Sequence, residues 1–320
     1  MPSVLVIGGA GYIGSYITNR LIDDGYSVRI ADLKPSESVR SSLKRFDLIN
    51  YKEGSLVDLD YTNDICKDMD YILHLAYIPF DYRKESTDIF YDRNINGIIN
   101  LLSSTLLNKC RRLVFSSSCA VYGNNDRCPI SENHPINPSS CYGASKVAAE
   151  YYISSFSKSE EIDACSLRYF SVYGQGIDLD SNKSAFLPTG VPMLLPLIIS
   201  KIRSNEPIEL SNNGESTRDF INIEDIYRAN LCAILSEKQL KGKSINIGTG
   251  IETKVIDFVK LAYKSFNKEL NLKHEKYSNT SSLTRFCADI TLASELLKFS
   301  PSVFLTDWFI DFSKKIKEIE

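Results

Sequence analysis

The stretch "VLVIGGAGYIGSYI" (residues 4–17) constrains this chain more than any other. A short apolar run ends at Gly8, and Gly11 and Gly14 follow as a helical pattern opens through Ile13 and Ile17. A strand that turns on glycines into a helix is a preformed anion site. Gly8 permits the tight turn, Gly11 lets backbone approach a pyrophosphate, and Gly14 lets helix and strand pack closely. Unpaired N–H groups at the helix start then face the anion. The competing reading is a glycine-rich turn with no ligand. Asp32, at the end of the next apolar run, stands where a carboxylate accepts from an adenosine ribose and repels a 2′-phosphate, which favours NAD over NADP. Lys34 pulls the other way, because a cation there suits a phosphate.

Two periods alternate beyond this turn. Runs at 4–7, 27–32, 70–76, 111–118 and 163–170 read as buried strands, and segments 12–24, 89–107 and 143–158 read as helices. Such alternation predicts an α/β fold, a doubly wound parallel sheet of Rossmann type with helices on both faces. After residue 171 the pattern loosens into short helices at 191–204, 224–236 and 253–266. The expected organisation is a dinucleotide-binding domain over 1–171 and a smaller substrate-binding lobe over 172–320. Residues around 218–250, including the strand-like "KSINIG" at 243–248, return to the main domain in this reading.

Composition narrows the partners. With 43% hydrophobic and 24% charged residues, the 320-residue chain has ample material for a core. A net charge of −3 without clustered Lys and Arg argues against nucleic acid. The longest apolar run, "VPMLLPLII", is short and broken by Pro192 and Pro196, so no membrane span is expected. No basic stretch precedes the first apolar run, so the N-terminus does not read as a signal peptide. Eight cysteines without C-x-x-C pairs read as reduced thiols in a cytoplasmic protein. His74, His134 and His274 are too scattered to predict a metal site.

"CYGASK" (141–146) then gains meaning. Tyr142 and Lys146 lie one helical turn apart and share a face. A free phenol, with a pKa near 10, is a poor base at neutral pH. An ammonium and the positive nicotinamide ring of NAD⁺ beside it are expected to favour the phenolate. A drop of about three units represents about 4 kcal/mol. Tyr142 then serves as general base for a sugar or alcohol hydroxyl. Ser118, in "FSSSCAVYG" at a predicted strand's carboxyl end, is placed to hydrogen-bond the same oxygen. The plainer alternative is an amphipathic helix with one aromatic turned inward, next to ordinary turn serines.

Many ordered motifs together resemble the extended short-chain dehydrogenase/reductases, specifically the NAD-dependent epimerase/dehydratase family acting on nucleotide sugars. They are "GGAGYIG", "HLA", "NINGIINLL", "SSSCAVYG", "YGASK", "LRYFSVYG", "STRDFINIEDIYRA", "NIGTG" and "ADITLASELL". The resemblance implies Ser118, Tyr142 and Lys146 as the catalytic set. It implies cofactor contacts from Gly8, Gly11, Tyr12, Ile13, Gly14, Asp32, Ser55, Leu56, Leu75, Ala76, Asn94, Ser116, Tyr142, Lys146 and Phe170. Arg218 matches the family's arginine on the nucleotide diphosphate, and Ser171 stands near it. Phe286 matches a gate residue beside the sugar, though a core aromatic is an equal reading. The resemblance further implies a nucleotide-diphosphate sugar, most often a UDP-sugar, as substrate. It also implies a homodimer built on helices 89–107 and 143–158, with Leu101, Leu102, Leu106 and Leu107 as an apolar stripe.

The family's 4,6-dehydratases carry an Asp–Glu pair after the catalytic hydroxyl, and its sugar-acid decarboxylases a glutamate in the same turn. Here those places hold Cys119 and Ala120, so "SSSCAVYG" resembles the 4-epimerase version, with a transient 4-keto sugar and hydride returned to the opposite face. A nucleotide-sugar 4-ketoreductase shares the same residues, and a non-catalytic dinucleotide-binding sensor is a third reading. Three places depart from the family pattern. Ser171 replaces an asparagine, "NTSS" (279–282) replaces an arginine-bearing turn, and Ser55 replaces an acidic residue.

Overall fold

The computed structural model describes residues 1–40, 43–77, 90–159, 162–175, 193–273 and 283–317. His274, Pro192 and the "NTSS" turn lie outside them, as does residue 89 at the start of a predicted helix.

Apolar runs become strands because both faces are covered. Strands β1 (Ser3–Ile7), β2 (Ser27–Asp32), β3 (Asn50–Glu53), β4 (Tyr71–His74), β5 (Arg112–Ser118) and β6 (Ala164–Tyr169) pair in parallel. The strand Lys243–Ile247 joins them alongside β6, giving seven strands in the order Lys243–Ile247, β6, β5, β4, β1, β2, β3. The order reverses between β1 and β4, which opens a crevice at the carboxyl ends of those strands. The expected doubly wound Rossmann-like sheet is therefore present.

One face packs on Ile17 and Leu21 of the helix Tyr12–Asp23 and on Ile226, Tyr227 and Ala233 of the helix Ile223–Leu235. The other packs on Ile98, Leu101 and Leu102 of the helix Gly97–Leu107 and on Ala149 and Ile153 of the helix Cys141–Ser159. A separate core gathers Leu195, Ile198, Phe258 and Phe309 from the second half of the chain. Helix starts follow local chemistry. Asp58 accepts from Tyr61 N at 3.0 Å, and Asn222 accepts from Glu224 N at 2.9 Å, each satisfying an orphan first-turn donor.

Two details differ from the sequence reading. The long helix expected over 89–107 contains a π-turn, Asp92–Asn96, before it regularises at Gly97. Gly97, which follows the π-turn, sits against Leu56, whose Cβ would be 3.1 Å from any added Cβ. The proposed apolar stripe also divides. Leu101 and Leu102 are fully buried under the sheet, whereas Leu106 and Leu107 are exposed with Tyr151 and Tyr152 of the neighbouring helix. Spacing alone cannot separate the two faces of a helix this apolar. No helix among the described residues is long and apolar enough to cross a membrane. None of the eight cysteines is in a disulfide, and no group of three potential metal ligands occurs among the described residues.

Candidate active site

The glycine turn is built by close contact. Gly8 has φ +79°, and its N–H donates to Ala31 O at 2.8 Å. A Cβ on Gly14 would meet Gly8 O at 2.0 Å, so only glycine lets the helix rest on the turn. Gly11 precedes the helix in an extended conformation and offers it no side-chain cap. The first-turn N–H groups thus have no carbonyl a turn earlier and no cap to meet them.

Beside this turn lies a cleft of about 420 Å³. Gly8, Gly11, Asp32, Ser55, Leu56, Leu75, Ala76, Asn94 and Lys146 line it, all expected from the sequence. Asp32 is held in place, accepting from Ala10 N at 2.9 Å and Lys34 N at 3.1 Å. The Lys34 ammonium turns to Ala10 O at 3.1 Å. Asn94 reaches the wall through the π-turn and donates to Phe90 O at 3.1 Å.

Other expected contacts lie off this wall. Tyr12 packs at the helix start and donates to Gly174 O at 3.3 Å, with burial raising its pKa beyond the ordinary range. Ile13 packs against the core on that side, Phe170 is buried with Val121, Tyr122 and Ile130, and Ser116 presents its carbonyl to Lys146.

Tyr61, His74, Tyr77 and Arg93 also line the cleft and were not singled out as site residues. Gly54 was the available signal for Tyr61, because a Cβ there would meet the Tyr61 ring at 2.4 Å. His74 ends β4 at the crevice. Burial and the Lys146 charge push its pKa down to about 3, so the imidazole is neutral.

Ser118 and Tyr142 come together beside Lys146, which lines the cleft. The small residues of "YGAS" have a reason. A Cβ on Gly143 would meet Ala120 O at 2.6 Å, so glycine lets the helix start press against the serine turn. Ser118 Oγ accepts from Ala120 N at 3.2 Å, and its hydroxyl neighbours the Tyr142 phenol. The Tyr142 ring packs edge-on to Tyr77 with centroids 4.6 Å apart. Lys146 is 3% exposed, donates to Ser116 O at 2.7 Å, and lies 4.6 Å from the Phe115 ring centroid and 5.7 Å from that of Tyr142.

In the protein alone, burial pushes the Tyr142 phenol up to about 12, with the Ser118 hydroxyl opposing it. Burial pushes Lys146 down to about 7, with the Glu150 carboxylate opposing it. Desolvation penalises both charged forms more than the Ser118 hydroxyl and the Glu150 carboxylate offset.

On the other side of the serine turn, Arg218 donates to Thr217 O at 2.7 Å and Thr284 Oγ1 at 3.0 Å, and its guanidinium carbon stands 5.1 Å from the Phe286 ring centroid. Phe286 is half-buried against the cluster containing Val121 and Phe170. It is thus both a packing residue and the partner of Arg218. Ser171 N donates to Asp219 O at 2.9 Å, next to Arg218 in the chain. Between Arg218 and Tyr142 sits Cys119, a thiol pushed up to about 12 by burial, and Ala120 follows it. Neither carries a carboxylate.

A parallel sheet that closes a dinucleotide cleft over Tyr142 and Lys146 defines an enzyme of the extended short-chain dehydrogenase/reductase class. Residues 4–248 match the model of the NAD dependent epimerase/dehydratase family, and the chain belongs to that family. Its cofactor is NAD, and the carboxylate of Asp32 on the cleft wall beside the bare helix start fits that dinucleotide. The chain is 30% identical over 256 residues to a UDP-glucose 4-epimerase of Lactobacillus helveticus, covering 77% of this chain and 76% of that one. A UDP-N-acetylglucosamine 4-epimerase from Methanobrevibacter ruminantium, solved with UDP-N-acetylmuramic acid, superposes with a TM-score of 0.85 at 28% identity, covering 100% of this chain and 99% of that one. A UDP-glucuronic acid 4-epimerase from Bacillus cereus, solved with UDP-glucuronic acid and NAD, gives 0.83 at 26% identity, covering 99% and 100%.

Proposed function

We propose that this protein is an NAD-dependent nucleotide-sugar 4-epimerase, with a UDP-sugar as substrate and Tyr142 as the base. One observation carries the reading: Ser118 and Tyr142 lie beside Lys146 of the dinucleotide cleft, next to a turn in which Cys119 and Ala120 supply no acid. The similar proteins named as UDP-sugar 4-epimerases support the same reaction and the same nucleotide.

Bound NAD supplies a reversible hydride acceptor and, when oxidised, a positive charge. The chain's own residues handle the proton. Tyr142 takes it from the sugar's 4-hydroxyl, and Lys146, as ammonium, stabilises the phenolate that receives it. Ser118 donates to the same oxygen as it becomes a carbonyl, and a neutral hydroxyl can do this throughout. After the 4-keto sugar presents its other face, Tyr142 returns the proton to that oxygen. Arg218 anchors the diphosphate, because a planar guanidinium gives two parallel hydrogen bonds and leaves the sugar free to turn. Ser118 and Tyr142 return to their starting states, so one cycle consumes nothing.

A panel of UDP-sugars, followed by NMR without added reduced cofactor, tests this reading. One or more members should reach an equilibrium of C4 epimers. Turnover only with added NADH or NADPH and a keto-sugar would replace the epimerase by a ketoreductase. NAD binding without any turnover would point to a sensor.

A further inference from the structure

The three serines that end β5 each address a different residue of the helix Cys141–Ser159. The Ser116 carbonyl accepts from Lys146 at 2.7 Å, the Ser117 hydroxyl donates to Glu150 Oε1 at 2.5 Å, and the Ser118 hydroxyl neighbours Tyr142. Tyr142, Lys146 and Glu150 stand four residues apart, so they form one stripe facing the strand. Glu150 is 6% exposed, yet it is fully partnered. Beyond Ser117, its carboxylate accepts from Arg168 Nε at 3.0 Å, Arg168 Nη2 at 2.7 Å and Ser244 Oγ at 3.0 Å. One side chain thereby ties the helix to β5, to β6 and to the strand Lys243–Ile247. Arg168 is fixed in turn by donating to the Tyr122 hydroxyl at 2.8 Å.

Fold stability is a weak reason for such a pair, because buried ion pairs are often no better than apolar residues of the same volume. Its location offers a stronger one. The groups facing Lys146 are His74 from β4, Phe115 and Ser116 from β5, Tyr77, and Tyr142 and Glu150 from its own helix. Among these described residues Glu150 is the one carboxylate, and Arg168 lies on its far side.

We propose that Glu150 is a positioning residue for the Tyr142–Lys146 pair: it locks the helix in rotation against the serine strand and keeps a negative charge one turn behind the Lys146 ammonium. The inference rests on reading Tyr142 and Lys146 as the proton-transfer pair. Removing the carboxylate charge leaves Lys146 easier to deprotonate. Turnover should then fail at a lower pH, as the ammonium that favours the phenolate is lost.

Two variants test this: Glu150→Gln/Arg168→Gln, which removes both buried charges together, and Ser117→Ala, which removes one tie and keeps every charge. The double variant should fold by circular dichroism and lose about tenfold in kcat at neutral pH, with KM for the sugar within about twofold. The alkaline limb of its kcat profile should move down by about half to one pH unit. Ser117→Ala should lose about threefold in kcat, with its NAD affinity unchanged by calorimetry. A double variant with only a lowered Tm and a wild-type pH profile overturns the proposal. Should the double variant fail to fold, Ser117→Ala decides alone, and wild-type kcat there overturns it. Tyr142→Phe assayed alongside separates the two failures. Wild-type turnover in Tyr142→Phe overturns the proton-transfer reading and this inference with it. An inactive Tyr142→Phe beside unmoved profiles overturns the role of Glu150 alone.

Discussion

Tyr142→Phe is expected to lose about 10²–10⁴-fold in turnover while still folding and binding NAD, because it deletes the proton acceptor and keeps the ring. The ring's edge-on packing with Tyr77, at 4.6 Å, does not depend on the hydroxyl. Lys146→Met should behave differently. On the proposed mechanism it removes the cation that stabilises the phenolate, and it also removes a basic group from the wall of the dinucleotide cleft. Both turnover and NAD affinity should fall. Steady-state kinetics and calorimetric titration with NAD check the pair. If Tyr142 were only an inward-turned aromatic, Tyr142→Phe would keep wild-type turnover.

Gly14→Ala is the second large effect. A methyl group there would sit 2.0 Å from Gly8 O and 2.8 Å from Gly9 Cα, both backbone atoms, so neither can swing away. The helix must lift off the glycine turn, and several kcal/mol of stability should go with it, at the extreme of single substitutions. Any folded remainder should bind NAD at least about 100-fold more weakly, because the turn and the helix start no longer share one anion site. Gly25→Ala is the control. Its φ is also positive, at +84°, but nothing stands within 4 Å of the added Cβ. It should cost about 1 kcal/mol and leave NAD affinity unchanged. Urea midpoints and NAD titrations of the two variants measure the contrast.

Much of this molecule is written in local pattern. Buried parallel strands show as unbroken apolar runs, and the glycine turn shows because each glycine has a separate steric reason to be there. Ser118, Tyr142 and Lys146 were readable together once a dinucleotide fold gave a phenol and an ammonium something to do. Long-range partners were not readable. Glu150 meets Arg168, eighteen residues on, and Ser244, ninety-four residues on, and nothing in local spacing announces those contacts. The π-turn at Asp92–Asn96 and the contact of Gly97 with Leu56 across the fold were likewise not announced by local spacing. The desolvation of Tyr142 in the protein alone was not readable for a related reason. A neighbouring cation can be inferred from i and i+4, but the desolvation that outweighs it comes from the tertiary surroundings.

The fate of the hydrogen on the sugar's C4 tests the central claim most directly. A UDP-sugar that the panel shows to be turned over, deuterated at C4, is incubated in ordinary water, and both epimers are examined by NMR and mass spectrometry. The account predicts that each epimer keeps its deuterium at C4, since the hydrogen leaves and returns inside the closed site while only the hydroxyl proton passes through Tyr142. Epimerisation with deuterium washed out into solvent would mean that C4 is deprotonated outright, and it would contradict the mechanism.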